Sequence, residues 1–179
     1  DQEISGIELN LQKSFSGERA SHKLGFGLDY RERETTEYRD GLSTNMLDGT
    51  STNIILGEEF PLRDFPISVS KEWGAYIEDT ITFGDWSLIG ALRADRFDLS
   101  PTNDPMYAED YPFATPVSLS ESDVSPKLGL IYRLNPETDI YVQYSHGFRA
   151  PPYEDANLGL EIPFFNYRAI PNPDLKSES

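Results

Sequence analysis

The 179-residue chain contains no cysteine and no long apolar run. Without cysteine it can form neither a disulfide framework nor a thiolate metal site. No segment approaches the roughly 18 to 20 consecutive apolar residues of a membrane-spanning helix, so a helical membrane protein is excluded. A membrane β-barrel is not excluded, because each barrel strand needs only about 9 to 11 residues with every second one facing lipid.

Basic residues are also scarce. The chain has 15 lysines and arginines against 31 aspartates and glutamates, for a net charge of -16. Such a charge repels phosphate backbones, so we expect no nucleic acid partner. Between Phe97 and Pro126 there is no lysine or arginine. The preferred interpretation of this stretch is a solvated acidic loop, and a dedicated cation site is the alternative.

Six segments alternate apolar and polar residues with a period of two. They cover residues 7–12, 23–30, 71–83, 86–98, 127–134 and 140–145. This period predicts β-strands with one apolar and one polar face. Asp79 interrupts the pattern of the third segment. Aromatic residues near the segment ends, such as Tyr30, Trp73, Trp86 and Tyr132, are typical of the girdles at a lipid interface.

Short and long connections alternate between these segments. Residues 16–19, 84–85 and 135–137 read as tight turns, whereas 31–69, 99–122 and the region after Arg149 are long. Outer-membrane barrels have this arrangement, with short periplasmic turns and long extracellular loops. The sequence therefore predicts an all-β fold, an antiparallel transmembrane β-barrel segment of about six strands from a larger barrel. A soluble β-sandwich adhesion module is the alternative, although long structureless loops count against it.

Two motifs near the end of the chain resemble those of the TonB-dependent outer-membrane receptors. Tyr141–Pro152 ends in a Gly-Phe-Arg-Ala-Pro box, and Ile170–Glu178 is similar to an Asn-Pro-Asp-Leu-Lys-Pro-Glu box. The resemblance implies that residues 1–179 are part of such a receptor's C-terminal β-barrel, with the plug domain and any signal peptide outside them. It also implies the bacterial outer membrane and its lipid as surroundings, and a TonB complex that acts through other parts of the protein. The box residues that could contact substrate are Phe148, Arg149, Ala150, Pro151, Asn172, Pro173, Asp174 and Leu175. Shaping of the loop is the preferred role for each of them.

The sequence most resembles the haem and haemoglobin branch of this family, which includes transferrin and lactoferrin receptors. The resemblance implies haem or an extracellular haem protein as the transported iron carrier, with a ferric siderophore as the alternative and no intrinsic cofactor or metal. In that branch the two boxes bracket a loop with a histidine ligand for haem iron, but residues 151–171 contain no histidine. Tyrosine also ligates haem iron, so Tyr153 and Tyr167 are candidate ligands, together with His146 beside the first box. Packing in an aromatic cluster of the loop is the preferred interpretation of the two tyrosines, and a structural role is preferred for His146. The phase of His146 with Val142 and Tyr144 predicts a position at the lipid-side rim.

An enzyme is not expected. Ser145, His146 and Asp155 have the residue types of a hydrolase triad. Adjacent residues of a strand point to opposite faces, however, so Ser145 and His146 cannot act as nucleophile and base.

Overall fold

The computed structural model describes residues 1–178, and most of them lie in β-strands or in the loops that join them. In chain order the elements are β1 Gln2–Ser16, β2 Ser21–Thr35, β3 Ser43–Thr44, β4 Ser51–Thr52, β5 Ile54–Ile55, β6 Glu58–Glu59, β7 Ser68–Phe83, β8 Trp86–Pro101, α1 Pro105–Asp110, β9 Leu119–Asn135, β10 Thr138–Ser145, α2 Tyr153–Asn157, β11 Leu160–Ile162, a 3-10 turn at Pro163–Phe165, and β12 Tyr167–Ala169. Within residues 1–178, no helix has the length and apolar character to cross a membrane.

The six long strands form one antiparallel sheet in the order β1-β2-β7-β8-β9-β10. Strands that are neighbours along the chain are also neighbours in this sheet. The short strands pair separately, β3 with β4, β5 with β6 and β11 with β12. The prediction of an all-β antiparallel fold with six long strands is therefore confirmed.

The predicted strands were too short at the end of the sheet that carries the long connections. Strand β2 continues to Thr35 rather than Tyr30, β8 runs to Pro101, and β9 begins at Leu119. In β2 this extension reads Arg31-Glu32-Arg33-Glu34, which is charged on both faces and so shows no apolar period. Ladder pairing with β7 holds it in the sheet, and the ion pair between Arg31 and Glu72 at 3.6 Å adds to this contact.

The register separates an apolar face of the sheet from a polar face. Leu9, Leu28, Ala75, Ala94 and Val124 lie opposite one another across five strands, and the next row has the same character. The other face carries the charged side chains, among them Asp29, Glu72, Glu78, Arg93, Asp95, Asp123 and Lys127. This is the arrangement that the alternation predicted.

Aromatic pairs mark the two edges of the apolar face. Tyr30 and Trp73 lie with their ring centroids 4.2 Å apart near the long connections, and Trp86 and Tyr132 lie 4.4 Å apart near the short turns. Ten residues of β7 separate Trp73 from Phe83, which pairs with Trp86. At about 3.3 Å per residue and a tilt of about 40°, ten residues span about 25 Å, the height of the apolar band of a membrane barrel.

Asp79 interrupts the apolar pattern because it pairs with a histidine of the neighbouring strand. It lies on the apolar face, and its Oδ2 is 2.8 Å from Nδ1 of His22. The ring of Phe15 stacks on His22 at a centroid distance of 4.9 Å. A polar pair near the short turns therefore replaces one apolar position of β7.

Most of the buried hydrophobic residues lie in the three long connections, residues 36–67, 102–118 and 146–178, which we call the loop cap. These connections fold against one another and contain both helices and the short strands. The enclosed side chains include Phe60, Leu62, Tyr107, Tyr111 and Asn157. A second cluster, formed by Phe97, Leu99, Leu119 and Ala156, joins the cap to the polar face of the sheet. The long connections are thus folded rather than structureless.

Candidate functional site

Arg93 is the centre of a charge network on the polar face. Its guanidinium donates to Asp29 at 2.9 Å and lies 2.7 Å from the carboxylate of Asp95. Asp29 is on β2 and Arg93 on β8, so the arginine side chain crosses the intervening strand β7. It crosses at Gly74, where a Cβ atom would collide with Arg93 and Asp29. Glycine is needed here for close approach, and the network joins β2 to β8 across β7.

A second side chain crosses a strand in the same way, here from β7 to β1 over β2. The Tyr76 hydroxyl donates to Oδ1 of Asn10 at 2.8 Å, from β7 to β1. The tyrosine ring passes over Gly27 of β2, and a Cβ atom there would overlap it. These two crossings fix long polar side chains flat against the polar face.

A cavity of about 540 Å³ lies between this charge network and the first box. Its lining includes Asp29, Glu72, Arg93, Asp95, His146 and Arg149. Both carboxylates and guanidinium groups line it, so the cavity can hydrogen-bond a ligand or water. Phe148 contributes an apolar wall.

His146 belongs to this cavity, and the prediction that it lies at the lipid-side rim was wrong. Its Nε2 is 3.1 Å from Oδ2 of Asp123, which lies on the polar face of β9. Strand β10 ends at Ser145, so the alternation of β10 does not extend to His146. Its side chain is paired with Asp123 and not with Ser145 or Asp155, which leaves the hydrolase alternative without its central contact.

The two boxes pair with each other. The backbone N–H groups of Arg149 and Glu178 each donate to the other's carbonyl at 3.0 Å, and Nη1 of Arg149 is 3.6 Å from the Glu178 carboxylate. Phe148, Ala150 and Leu175 pack against the cluster that includes Leu99. The loop between the boxes therefore folds over the polar face of the sheet.

Comparison with known proteins identifies the family. The family described as TonB dependent receptor-like, beta-barrel, matches residues 2–179. The chain belongs to this family of TonB-dependent receptors. No curated protein sequence matches the chain at a significant level. The family membership expected from the two boxes is thereby confirmed, while the haem and haemoglobin branch stays a prediction.

Two solved structures share the fold of this chain. The unliganded crystal structure of the ferric citrate transporter FecA is similar with a TM-score of 0.62 and 20% identity, over 82% of this chain and 20% of that one. The ferric-catecholate import receptor Fiu from K12 E. coli gives a TM-score of 0.55 and 18% identity, over 86% of this chain and 24% of that one. The chain thus spans about a fifth to a quarter of the length of these transporters.

In this receptor segment, only some of the box residues are open to a ligand. The Arg149 side chain is 73% exposed, and Asn172, Pro173 and Asp174 are also exposed. Oδ1 of Asn172 accepts from the backbone N–H of Asp174 at 3.0 Å, which forms a tight local turn. Pro151, by contrast, is buried. A substrate contact by the exposed residues stays a prediction.

The two candidate tyrosine ligands differ in their surroundings. Tyr153 begins α2 and lies 5.5 Å from the ring of Phe65, and burial raises the pKa of its hydroxyl. A raised pKa disfavours the tyrosinate that binds iron, so Tyr153 is suited to packing. Tyr167, on β12, is 51% exposed. Among residues 1–178, no group of three histidine, aspartate or glutamate side chains is arranged to hold a metal ion.

Sequence reasoning missed the hydrogen-bond network inside the loop cap. Asp64 accepts from the hydroxyl of Tyr111 at 3.0 Å, and it also pairs with Arg39. Burial raises the pKa of Tyr111, with the negative charge of Asp64 as the next cause. One local signal was present: Asp104 followed by Pro105 is a typical helix start, and Oδ1 of Asp104 accepts from the N–H of Tyr107 at 3.3 Å.

Proposed function

We propose that this chain is part of the wall of an outer-membrane receptor that imports an iron carrier with energy supplied through TonB. The match of the barrel family to residues 2–179 is the observation that carries this proposal. The apolar face, with aromatic pairs at both edges, then faces lipid, and the polar face lines the lumen. The loop cap lies on the extracellular side, and the short turns lie in the periplasm.

The remaining barrel strands, the plug and the TonB-contacting segment belong to other parts of the protein. This sheet has two outer strands, β1 and β10, whose free edges have no partner among residues 1–178. Unpaired backbone groups are costly in lipid, so six strands with open edges do not form a membrane pore. The segment acts within a closed barrel whose other strands cover both edges.

A ferric siderophore is the carrier that we favour, with haem as the second candidate. The two solved structures named above are described as a ferric citrate transporter and a ferric-catecholate receptor. Two of the three candidate haem ligands already have other contacts, because His146 is paired with Asp123 and Tyr153 is packed against Phe65. Tyr167 keeps haem in consideration, since its exposed side chain lies in the extracellular cap.

Arg149 is the box residue best placed to meet a carrier at the mouth of the lumen. It is exposed, it lines the cavity of about 540 Å³, and its planar fork suits the carboxylate or catecholate oxygens of a ferric complex. Asn172 and Asp174 lie in the second box as further polar contacts. Phe148, Ala150 and Leu175 shape the loop by packing.

The test is iron uptake by the full-length receptor, expressed in bacteria that lack their own outer-membrane iron receptors. Radioactive iron is supplied as ferric citrate, as a ferric catecholate or as haem, in cells with and without TonB. We expect uptake of a ferric siderophore that needs TonB and falls at least tenfold in Arg149→Ala. Arg19→Ala, an exposed arginine in a short turn, is the matched control.

Uptake of haem alone, lost in Tyr167→Phe, would replace the siderophore with haem. If no iron carrier enters in a TonB-dependent manner, the proposed function is wrong.

A further inference from the structure

A second cavity, of about 300 Å³, lies between the polar face of the sheet and the third connection. We call it the arginine pocket, because Arg33 of β2 and Arg149 of the first box both line it. Arg149 also lines the larger cavity of about 540 Å³, so the two cavities are neighbours. The volume of the arginine pocket is at the lower end of the range of small-molecule sites.

Arg33 differs from the other arginines in its charge partners. Within residues 1–178, every arginine except Arg19 and Arg33 has a carboxylate as an ion-pair partner. Arg19 is exposed in a short turn, whereas Arg33 is half-buried, and its Nε is enclosed without a hydrogen bond to the described residues. The chain has 31 acidic residues, yet none of those described neutralises this guanidinium. A half-buried cation of this kind is short of negative charge.

The two arginines offer hydrogen-bond donors that are open to a ligand. A guanidinium carries several N–H donors in a planar fork. The terminal nitrogens of Arg33 form no hydrogen bond within the described part of the chain, and they are not enclosed as its Nε is. Ser70 is the register partner of Arg33 and lines the same pocket with its hydroxyl group. The side chain of Arg149 is 73% exposed, which adds a second accessible fork.

Two carboxylates also line the pocket, but neither lies within 4.0 Å of the Arg33 guanidinium. Glu72 is paired with Arg31 at 3.6 Å, and Glu154 has an exposed side chain in the first turn of α2. Apolar side chains form much of the remaining wall, among them Leu99, Pro151 and Tyr153. Beside apolar groups, the attraction between a guanidinium and an anion is screened less than in open water.

We propose that the arginine pocket binds a carboxylate group of the imported iron carrier between Arg33 and Arg149. A carboxylate accepts two parallel hydrogen bonds from one guanidinium, and its charge supplies the partner that Arg33 lacks. Glu72 and Glu154 repel anions, so a singly charged carboxylate fits better than a doubly charged phosphate. The proposal rests on the proposed uptake function for the identity of the carrier, but binding of a carboxylate is measurable without transport.

The test is a calorimetric titration of the full-length receptor in detergent with citrate. Trimethyl citrate has the same skeleton without the charges and is the neutral probe, and inorganic phosphate tests for a general anion site. The variant is Arg33→Gln, which removes the charge. Arg19→Gln is the matched control, because it makes the same change at an exposed arginine that also lacks an ion pair among residues 1–178.

We expect saturable binding of citrate that weakens at least tenfold in Arg33→Gln and is unchanged in Arg19→Gln, with no binding of trimethyl citrate. Equal binding of citrate to both variants, or no saturable binding, overturns the proposal. Tighter binding of phosphate than of citrate overturns it in favour of a phosphate site. Since iron uptake is measured separately in cells, a failure of this titration is distinct from a failure of the proposed function.

Thermal unfolding of the same variants separates a ligand site from a structural contact. If the partner of Arg33 is a ligand, the ligand-free Arg33→Gln receptor should unfold at or above the temperature of Arg19→Gln, because an unpaired charge has been removed. A lower unfolding temperature in Arg33→Gln would mean that a carboxylate from another part of the receptor pairs with Arg33. That result overturns the proposal.

Discussion

Asn157 shows how a single polar residue holds the loop cap together. Its side chain is fully buried, Nδ2 donates to the Val117 carbonyl at 2.9 Å, and Oδ1 accepts from the Val117 N–H at 2.6 Å. Its own carbonyl accepts from the hydroxyl of Tyr107 at 3.1 Å. The Asn157 side chain thus forms with Val117 the two hydrogen bonds that a neighbouring strand would form. It joins the second connection, residues 102–118, to the third, residues 146–178.

Replacement of this side chain should therefore loosen the cap without unfolding the barrel. We expect Asn157→Ala to destabilise the cap by about 2 to 4 kcal/mol, because two buried backbone groups lose their partners and a cavity remains. Hydrogen exchange of the cap amides in the full-length receptor measures the effect. Asn103→Ala, at an exposed position of the same cap, should leave exchange unchanged, and equal exchange in both variants would show that Asn157 is not needed.

Buried carboxyl groups make the stability of the cap depend on pH. Burial raises the pKa of Glu58, against the opposing effect of Arg39, and burial is also the largest cause of the raised pKa values of Glu37 and Asp110. A carboxyl whose pKa is raised in the folded state binds its proton more tightly there. Its contribution to stability is then present below the ordinary value of 3.8 or 4.5 and is lost as the pH rises through the raised value.

Glu58→Gln should therefore stabilise the cap at pH 7 and have little effect near pH 4.5. The charged groups that act on Glu58 are Arg39 and Asp64, and the variant leaves both in place. The measurement is the rate at which a protease cuts the cap, taken at each pH relative to Asp155→Asn, which changes an exposed carboxylate of the same cap. A variant that is cut faster than this control at pH 7 would contradict the prediction.

Sequence reasoning reached the boxes but not the partners of individual site residues. The motif identified Phe148, Arg149 and the second box, yet it could not show that Arg149 pairs with Glu178. The position of His146 was wrong because alternation holds only inside a strand, and the strand ends one residue earlier. These contacts join residues that are far apart in the chain, so no local pattern records them.

At the scale of elements, alternation predicted where strands lie but not how far they extend. The apolar period exists only in the band between the two aromatic pairs, and outside that band both faces of the sheet carry polar residues. Residues 31–35 and 119–126 therefore lack the signal, although they continue the ladder. A charged substitution within this band therefore tests which face of the sheet meets lipid and which meets water.

Leu11 and Gln12 are neighbours near the middle of β1 and lie on opposite faces. Leu11 belongs to the apolar row of Phe26 and Ile77, whereas Gln12 lies opposite Gly25 on the polar face. We expect Leu11→Arg to cost about 2 to 4 kcal/mol of folding stability in lipid vesicles, because a charge near the bilayer midplane is poorly solvated. Gln12→Arg should be tolerated in a watery lumen. Denaturant titration of refolded receptor compares the two, and a greater cost at Gln12 would reverse the assignment of the faces.

Gly74 and Gly27 lie beneath the side chains that cross β7 and β2, and their lack of a Cβ atom leaves room for these side chains. We expect Gly74→Ala to cost about 1 to 3 kcal/mol, because a methyl group would displace the pair formed by Arg93 and Asp29. The cost should shrink in an Arg93→Ala background, since the two changes act on one contact. Gly90→Ala is the control, because a Cβ atom there meets nothing within 4 Å. Strictly additive effects would mean that the crossing does not restrict Gly74.

At the scale of the whole molecule, the sheet and the loop cap follow different physical rules. The sheet has an exposed apolar face and carries paired charges on the other face, so under the proposed function lipid covers the first face and water the second. The cap is folded like a small soluble domain, with an aromatic core and buried hydrogen bonds. Alternation predicted the first part, but composition suggested only solvated loops for the second, because the packing of the cap joins three connections that are distant in the chain.

The pairing of the two boxes holds the third connection over the polar face of the sheet. Under the proposed function this face lines the lumen, so transport should require this connection to move. Arg149 and Glu178 exchange both backbone hydrogen bonds, which corresponds to a Cα separation of about 5.5 Å and suits a disulfide.

The chain contains no cysteine, so Arg149→Cys with Glu178→Cys gives a single defined cross-link within it. Because loss of Arg149 is expected to lower uptake at least tenfold, the oxidised and reduced forms of the double variant are compared with each other. We expect oxidation to stop the uptake that remains, and a reductant to restore it. The Glu178→Cys single variant, which cannot cross-link within the chain, shows whether the oxidant itself has an effect. Uptake that continues at the same rate with the cross-link closed would mean that the paired boxes are a fixed scaffold and that the carrier passes beside them.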